Sequence, residues 1–434
     1  MTNQKGHITV FEHEQLRLGH PMPHGEKLSD AHLQKLEEFY GDGKNFPYYS
    51  LINKGVKFCE YVGVIQVGKL VIEVLPKADK QLEKTVDDQK SVWRDRLIGM
   101  LKAIGSFNIH APSSTSLRLK SNSVLDLYFE LFVAEVEVLL HRGLVKRYRK
   151  TEGNATALKG SLQFGKHIQQ NLVHKERFYV RHTVYDREHP FNCVLYKALR
   201  LLLRINANAV LQSRIGSLLL NFPEMPDIAA NEAFFNKLQY NRKTEAYRSA
   251  MEIARLILLN YHPDVKNGQN HVLALMFDMN LLWEKFVYMS LRKYCRPGVK
   301  VLAKETENFW RFEEGRTRSM WLEPDIYIEW NGGKVVLDTK WKNLDNIKPD
   351  IHDLRQMYAY TKYFNAQKVA LVYPGENVER KGNFNIEGSE HFEKGNECSL
   401  IPIKEEPDIV TWQKNIWLKI ENTCLKQKKR SNIV

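Results

Sequence analysis

Residues 323–342 read EPDIYIEWNGGKVVLDTKWK, two apolar runs separated by Asn331-Gly332-Gly333. Asparagine and glycine tolerate the positive φ that tight two-strand turns require, so this spacing predicts a β-hairpin. The hairpin constrains more than local structure. Side chains alternate across a strand, so Asp338 and Lys340 are expected on one face, with Leu337 and Thr339 on the other. Asp325, preceded by Pro324, opens the first strand and is brought alongside the second. Two carboxylates and one ammonium are therefore expected to meet at one end of a β-ribbon.

Two adjacent carboxylates repel each other unless a cation sits between them. Hard oxygen donors with no histidine or cysteine suit Mg²⁺, which takes one or two protein carboxylates and completes its shell with water and phosphate oxygens. Such an ion lowers the pKa of water and offsets charge on a phosphate. Lys340 is placed to orient an attacking water or to stabilise developing negative charge. The residue types fit phosphodiester hydrolysis; the bland alternative is an ordinary charged hairpin.

The rest of the chain divides into three expected regions. Residues 1–85 carry short β-like runs (ITVFE, GVKFCEYVGVIQVG, KLVIEVLP) punctuated by Gly63 and Gly68, and then a polar exit, PKADKQLEKTVDDQK. This predicts a small β-rich domain. Residues 86–265 turn to helical spacing in SVWRDRLIGMLKAIG, SVLDLYFELFVAEVEVLLHRGL, FNCVLYKALRLLLRINANAVL and EAYRSAMEIARLILLNYH, the second closing at Gly143. From 266 to 434 the reading is a long helix in HVLALMFDMNLLWEKFVYMSLRKY, a short strand VKVLA, the hairpin, a helix opening at Pro349-Asp350, and a buried strand KVALVYP. The fold class is thus α/β and multi-domain, with an α/β core at the C-terminal end.

Composition narrows the classes of function. With 64 Lys plus Arg against 51 Asp plus Glu, the net charge is +13, which favours a polyanionic partner through counterion release. Residues 141–189 hold eleven basic and four acidic residues, interleaved with Tyr148, Phe164, Phe178, Tyr179 and Tyr185. That mixture suits a nucleic-acid surface or a solvated, half-packed one. The basic tail LKQKKRSNIV reads as a frayed terminus. Five scattered cysteines argue against a disulfide framework and a cysteine zinc site, and fit a reducing cytoplasm. No apolar window is long enough for a membrane span, and the N-terminal residues lack a signal-peptide pattern.

Pro-Asp followed at strand distance by Asp-x-Lys resembles the PD-(D/E)xK nuclease motif. A second Glu-Pro-Asp, at 406–408, lacks a following strand with Asp-x-Lys and is set aside. The resemblance implies a restriction-endonuclease-like core with Asp325, Asp338 and Lys340 catalytic. It implies supporting roles for Gln356 and Tyr360, four apart on one helix face. It also implies a metal-directed acid at Glu284, so that Asp325, Asp338 and Glu284 form the metal set, for Mg²⁺ with Mn²⁺ as a substitute. On residues alone, Glu284 and Asn280 could instead form a solvent-facing polar edge, and Gln356 and Tyr360 could pack within the fold.

Three further runs, GVIQVGKLVIEVLPKAD, LKGSLQFGKHI and YDREHPFNCVLYKALRLLL, together with MFDMNLLWEKFV and the hairpin, look like the ordered landmarks of the McrC family. That resemblance covers most of the chain. It implies the nuclease subunit of a McrBC-type system directed at 5-methylcytosine DNA, a type IV-like restriction endodeoxyribonuclease with a role in antiviral defence. It further implies docking through the N-terminal and middle regions on a ring-forming AAA+ GTPase of the McrB type, which recognises modified double-stranded DNA and translocates. The sequence contains no G-x-x-x-x-G-K-[ST] loop; the nearest fragment, GDGKN, lacks the earlier glycine and the Ser/Thr, so GTP is expected only through the partner. A stand-alone restriction or repair nuclease, and a non-catalytic GTPase-activating adaptor, are the competing readings.

Overall fold

The computed structural model describes residues 6–21, 27–41, 47–68, 70–76, 86–104, 124–206, 208–262, 272–310, 320–330, 333–342, 348–376, 378–384 and 397–425. Asn331 and Gly332 of the turn, most of the polar exit, the GDGKN fragment after Gly41 and the basic tail after Leu425 lie outside them. The chain forms two compact units, one from residues 107–275 and the other from residues 6–106 together with 276–434.

The first unit packs the helices Val124–Arg142, Pro190–Ile205 and Arg248–Leu259. Gly143 follows the first of these with φ 88°, a left-handed conformation that glycine adopts without a Cβ penalty. The single helix expected across FNCVLYKALRLLLRINANAVL is two, Pro190–Ile205 and Ala209–Asn221. The break falls where the Asn208 side chain accepts from the backbone N–H of Val210 and Leu211, capping a new helix instead of continuing the old one. The mainly helical reading also missed a three-stranded antiparallel sheet, Arg147–Ala155, Phe178–Asp186 and Ser161–Leu162. Its charges are partly paired internally: Arg149 lies 2.9 Å from Asp186 and from Glu188, and Glu152 binds both Lys166 and Arg181. Acid partners hidden in the basic stretch obscured the strand alternation there.

The second unit carries the hairpin. In its N-terminal part, β1 (Gly6–Phe11) pairs in parallel with β3 (Leu70–Leu75), and β3 pairs antiparallel with β2 (Tyr61–Val67). Fully buried Glu73 of β3 is matched by Arg94 of α1 (Val86–Ala103), whose Nε lies 2.8 Å away, a pairing that removes the cost of a lone buried charge. In the C-terminal part, α2 (Met279–Tyr294) precedes a six-stranded mixed sheet. Its strands are β4 (Lys300–Ala303), β5 (Ile326–Trp330), β6 (Gly333–Thr339), β7 (Lys368–Pro374), β8 (Arg380–Asn383) and β9 (Glu397–Ile403). The spatial order is β4-β5-β6-β7-β9-β8, with β6, β7 and β9 mutually parallel. The crossover from β6 to β7 is α3 (Ile351–Tyr363), which buries Met357 and Tyr360 against Tyr327, Val336 and Leu371. A final helix, α4 (Ile409–Ile420), follows β9.

Two expectations change here. The long helix read across HVLALMFDMNLLWEKF begins only at Met279, because Val272–Asp278 is a strand and the Asp278 carboxylate caps the helix, accepting from Asn280 N–H at 2.8 Å. The sequence reading stopped at β7 and omitted β8, β9 and α4. The discarded second Pro-Asp is the cap of α4: Asp408 accepts from Thr411 N–H at 2.9 Å.

The N-terminal β-rich segment does not stand apart as the boundary at 85 suggested. Glu12, just past β1, accepts from Trp341 Nε1 at 2.9 Å across 329 positions of sequence, and the Glu60 carbonyl accepts from Met279 N–H at 3.0 Å. A Cβ built on Gly99 of α1 would come within 3.0 Å of Ile409 Cδ1, so α1 and α4 approach closely. Hydrophobic pattern reports which residues want burial, not which distant segment buries them. Among the described residues, no helix is long and apolar enough to cross a membrane.

Candidate active site

The hairpin register places the acids. Ile326 pairs with Leu337 in the antiparallel β5–β6 ladder, so one step beyond the ladder Asp325 stands opposite Asp338. Directly opposed residues of an antiparallel pair share a face. Asp325 has left the ladder, and its Oδ2 accepts from the Thr339 backbone N–H at 2.6 Å and from the Thr339 hydroxyl at 2.8 Å. These bonds fix the carboxylate orientation. Thr339, the variable position of Asp-x-Lys, went unnoticed at the sequence level because a motif defines it only by its neighbours.

Asp338 is 1% exposed, and burial followed by the negative charge of Asp325 pushes its pKa up to about 6, against the pull of Lys340. Lys340 Nζ lies 2.6 Å from Asp338 Oδ2. That ion pair is made at a buried oxygen. Burial lowers the pKa of Lys340, but the carboxylates of Asp338, Asp353 and Asp325 outweigh it, and the net shift is upward. Its amine is therefore held as ammonium. The Lys340 backbone N–H donates to Val372 O at 2.9 Å, tying the end of β6 to β7.

Glu284 is half-buried on α2. Burial, then the charge of Asp325, raises its carboxyl to about 7, with Lys304 and Lys285 pulling the other way and Asp338 adding to the rise. It therefore feels both aspartates rather than forming a solvent edge. Among the described residues, no three His, Cys, Asp or Glu side chains are gathered closely enough to hold one ion, so Asp325, Asp338 and Glu284 are not a preassembled ligand trio.

Gln356 and Tyr360 are brought together, and their contacts define a brace. Gln356 Nε2 donates to Tyr360 Oη at 2.7 Å, and Tyr360 Oη donates to the Glu323 carbonyl at 3.0 Å. The pair thus clamps the turn that carries Pro324-Asp325 onto α3. Asp350 caps α3, accepting from His352 N–H at 2.8 Å. Two participants escaped the sequence reading. Asp353, in the first turn of α3, lies 3.8 Å from Lys340 Nζ and 2.7 Å from Lys342 Nζ. The available signal was the extension of Asp338-x-Lys340 by one further alternation to Lys342.

The raised carboxyls give a definite pH dependence. At low pH both folded and unfolded chains hold the proton of Glu284, and no penalty exists. As pH rises from the ordinary carboxyl range through about 7, the folded chain gives up a proton it binds more tightly than the unfolded chain does, so stability falls. Glu284→Gln removes this loss. Its melting temperature should match the wild type near pH 4.5 and exceed it at pH 8 by about 2 °C, a modest figure because solvent screens a half-exposed group. Thermal melts at the two pH values check this; equal melting temperatures at pH 8 would count against it.

Comparison with known proteins adds to this geometry. The family model described as "McrBC 5-methylcytosine restriction system component" matches residues 56–374. No curated protein matches the sequence. Among solved structures, a chain of the half-complex from the tetradecameric assembly of Thermococcus gammatolerans McrB AAA+ hexamers with bound McrC is similar, with a TM-score of 0.68 at 19% identity, covering 96% of this chain and 99% of that chain. A chain of the Thermococcus gammatolerans McrBC complex aligns with a TM-score of 0.48 at 19% identity, over 66% of this chain and 87% of that one. At such identity the first likeness speaks to the fold, an α/β arrangement shared over nearly the whole of both chains. The family match extends over most of the sequence and includes Asp325, Asp338 and Lys340, and the chain accordingly belongs to the McrBC family of 5-methylcytosine restriction system components.

Proposed function

We propose that this chain is the DNA-cutting subunit of its restriction system, a Mg²⁺-dependent endonuclease of the PD-(D/E)xK type that hydrolyses phosphodiester bonds. The observation that carries the reading is the convergence of Asp325, Asp338 and Lys340 at one end of the β5–β6 ribbon. The donor set suits a hard cation: two opposed carboxylates, one of them buried, with no histidine or cysteine beside them among the described residues. Asp325 and Asp338 would hold the ion, with Mn²⁺ able to replace Mg²⁺, and Glu284 stands beside them as a third acid. When bound, the ion supplies Lewis acidity that eases ionisation of the attacking water and offsets charge on the scissile phosphate.

The chain's own groups do the remaining work. The Thr339 bonds hold Asp325 in one orientation, and the Gln356–Tyr360 brace fixes the turn that presents it. Lys340, kept charged by its carboxylate neighbours, is aimed to orient the nucleophile or to stabilise charge on the phosphate as it builds. Glu284, whose carboxyl burial and Asp325 raise in the metal-free chain, adds a third negative charge once an ion offsets that repulsion.

The partner in this proposal is a ring-forming AAA+ GTPase of the McrB type that recognises modified double-stranded DNA, hydrolyses GTP under stimulation by this chain, and translocates. Support comes from the family match and from the similar chain in an assembly of McrB AAA+ hexamers with bound McrC. The net charge of +13 suits the DNA. The test is a cleavage assay on methylated and unmethylated plasmid, with Mg²⁺, with and without partner and GTP. Cutting is expected only for methylated plasmid with partner and GTP. Efficient cutting by the chain alone would overturn the subunit role, and no cutting in any combination would overturn the nuclease assignment.

A further inference from the structure

We propose that Asp353 is a positioning residue for Lys340, holding the ammonium on station when the Asp338 carboxylate is committed to the metal ion. This inference rests on the nuclease reading above.

Lys340 has two carboxylates within reach, Asp338 at 2.6 Å and Asp353 at 3.8 Å. The nearer is also a proposed metal ligand, and one carboxylate cannot fully serve both cations. An ammonium whose side chain is 25% exposed has limited recourse to water once that partner turns away. It would then return to Asp338 and compete with the ion, unless a second counter-charge remains. Asp353 supplies one from a different element, the first turn of α3, and is itself 8% exposed.

Lys342 completes the arrangement, with Nζ 2.7 Å from Asp353 Oδ2 while Oδ1 faces Lys340. The contacts join two acids and two lysines, Asp338, Lys340, Asp353 and Lys342, into a charge-balanced row. Lys342 pairs with the other oxygen of Asp353 and moderates its pull on Lys340. Helix stability does not explain the placement. Asp350 already caps α3, and an acid in the first turn would aid the helix dipole equally well from an exposed position. Burying a carboxylate costs free energy, and here it is directed at two lysines at the site.

The experiment uses the full chain with its ring partner and GTP on methylated plasmid, and Mn²⁺-dependent thermal stabilisation of the chain alone as a second readout. Asp353→Asn should lower the cleavage rate constant about 10- to 100-fold with KM for DNA within about twofold, the scale expected when a catalytic group is misplaced by an ångström. It should also raise the Mn²⁺ concentration at half-maximal stabilisation by about threefold or more, because Lys340 stays on Asp338. In a Lys340→Met background the same substitution should add less than about twofold, since it acts through that amine. Asp353→Glu restores the counter-charge and should recover most of the rate. A wild-type rate and Mn²⁺ midpoint in Asp353→Asn, additive losses with Lys340→Met, or a rate that Asp353→Glu does not recover would each overturn the inference. Persistent cutting by Asp338→Ala would instead overturn the nuclease reading beneath it.

Discussion

On the proposed nuclease reading, Asp338→Ala should abolish DNA cutting by the assembled complex, with a rate loss of at least about a thousandfold, equivalent to about 4 kcal/mol of barrier. On the same reading the substitution should leave stimulation of the partner's GTPase intact, because it changes one buried side chain at the proposed metal site. It should also leave the fold intact. Burial and the neighbouring Asp325 disfavour the ionised form of Asp338 in the folded chain, so removing the charge relieves an unfavourable term. Lys340, deprived of its partner at 2.6 Å, still has Asp353 at 3.8 Å. Loss of activity without loss of melting temperature marks a residue kept for chemistry. Rate constants and thermal melts on one preparation check this, and residual cutting above about 1% of wild type would remove Asp338 from the mechanism.

Trp283→Ala has the opposite signature, a large loss of stability. Trp283 is fully buried on α2, one residue before Glu284, with its ring centroid 5.5 Å from that of Trp341, 5.9 Å from Trp412 and 6.1 Å from Phe286. Its Nε1 donates to the Val372 carbonyl at 3.4 Å. Truncation removes a large buried ring and leaves a cavity, at a cost of about 3–5 kcal/mol. For a unit of this size the melting temperature should fall by about 10 °C. Trp283→Phe keeps most of the apolar volume and should lose less than half as much. Urea unfolding gives the comparison, and a Trp283→Ala loss under about 1 kcal/mol would show that the aromatic cluster is not the anchor of α2.

These two residues illustrate what could be read early. The placement of Asp338 was legible because it follows from short-range geometry: strand alternation, a hairpin turn and a spacing of two. The Asp350 cap and the β5, β6 and β7 strands were legible for the same reason. Trp283 was legible only as an apolar position. That Trp283, Trp341 and Trp412 meet depends on how α2, the end of β6 and α4 pack, and no local pattern encodes that. Two helices were overextended because apolar runs continue across caps at Asn208 and Asp278, where a side-chain oxygen outcompetes helix continuation. The ribbon Arg147–Ala155 with Phe178–Asp186 was missed because its polar alternation follows ion pairing rather than burial.

By itself the sequence determined the hairpin, the acids and amine at its end, the excess of positive charge and the ordered runs that resemble McrC. Each depends on neighbours a few positions apart or on composition, where backbone sterics and period set the outcome. Tertiary structure alone decided that residues 6–106 join the C-terminal unit, that Glu12 receives Trp341 from 329 positions away, and that Asp353 sits beside Lys340. Those contacts are chosen by the packing of whole elements, a selection of partner among many similar apolar and charged surfaces that becomes single-valued only when the chain has closed.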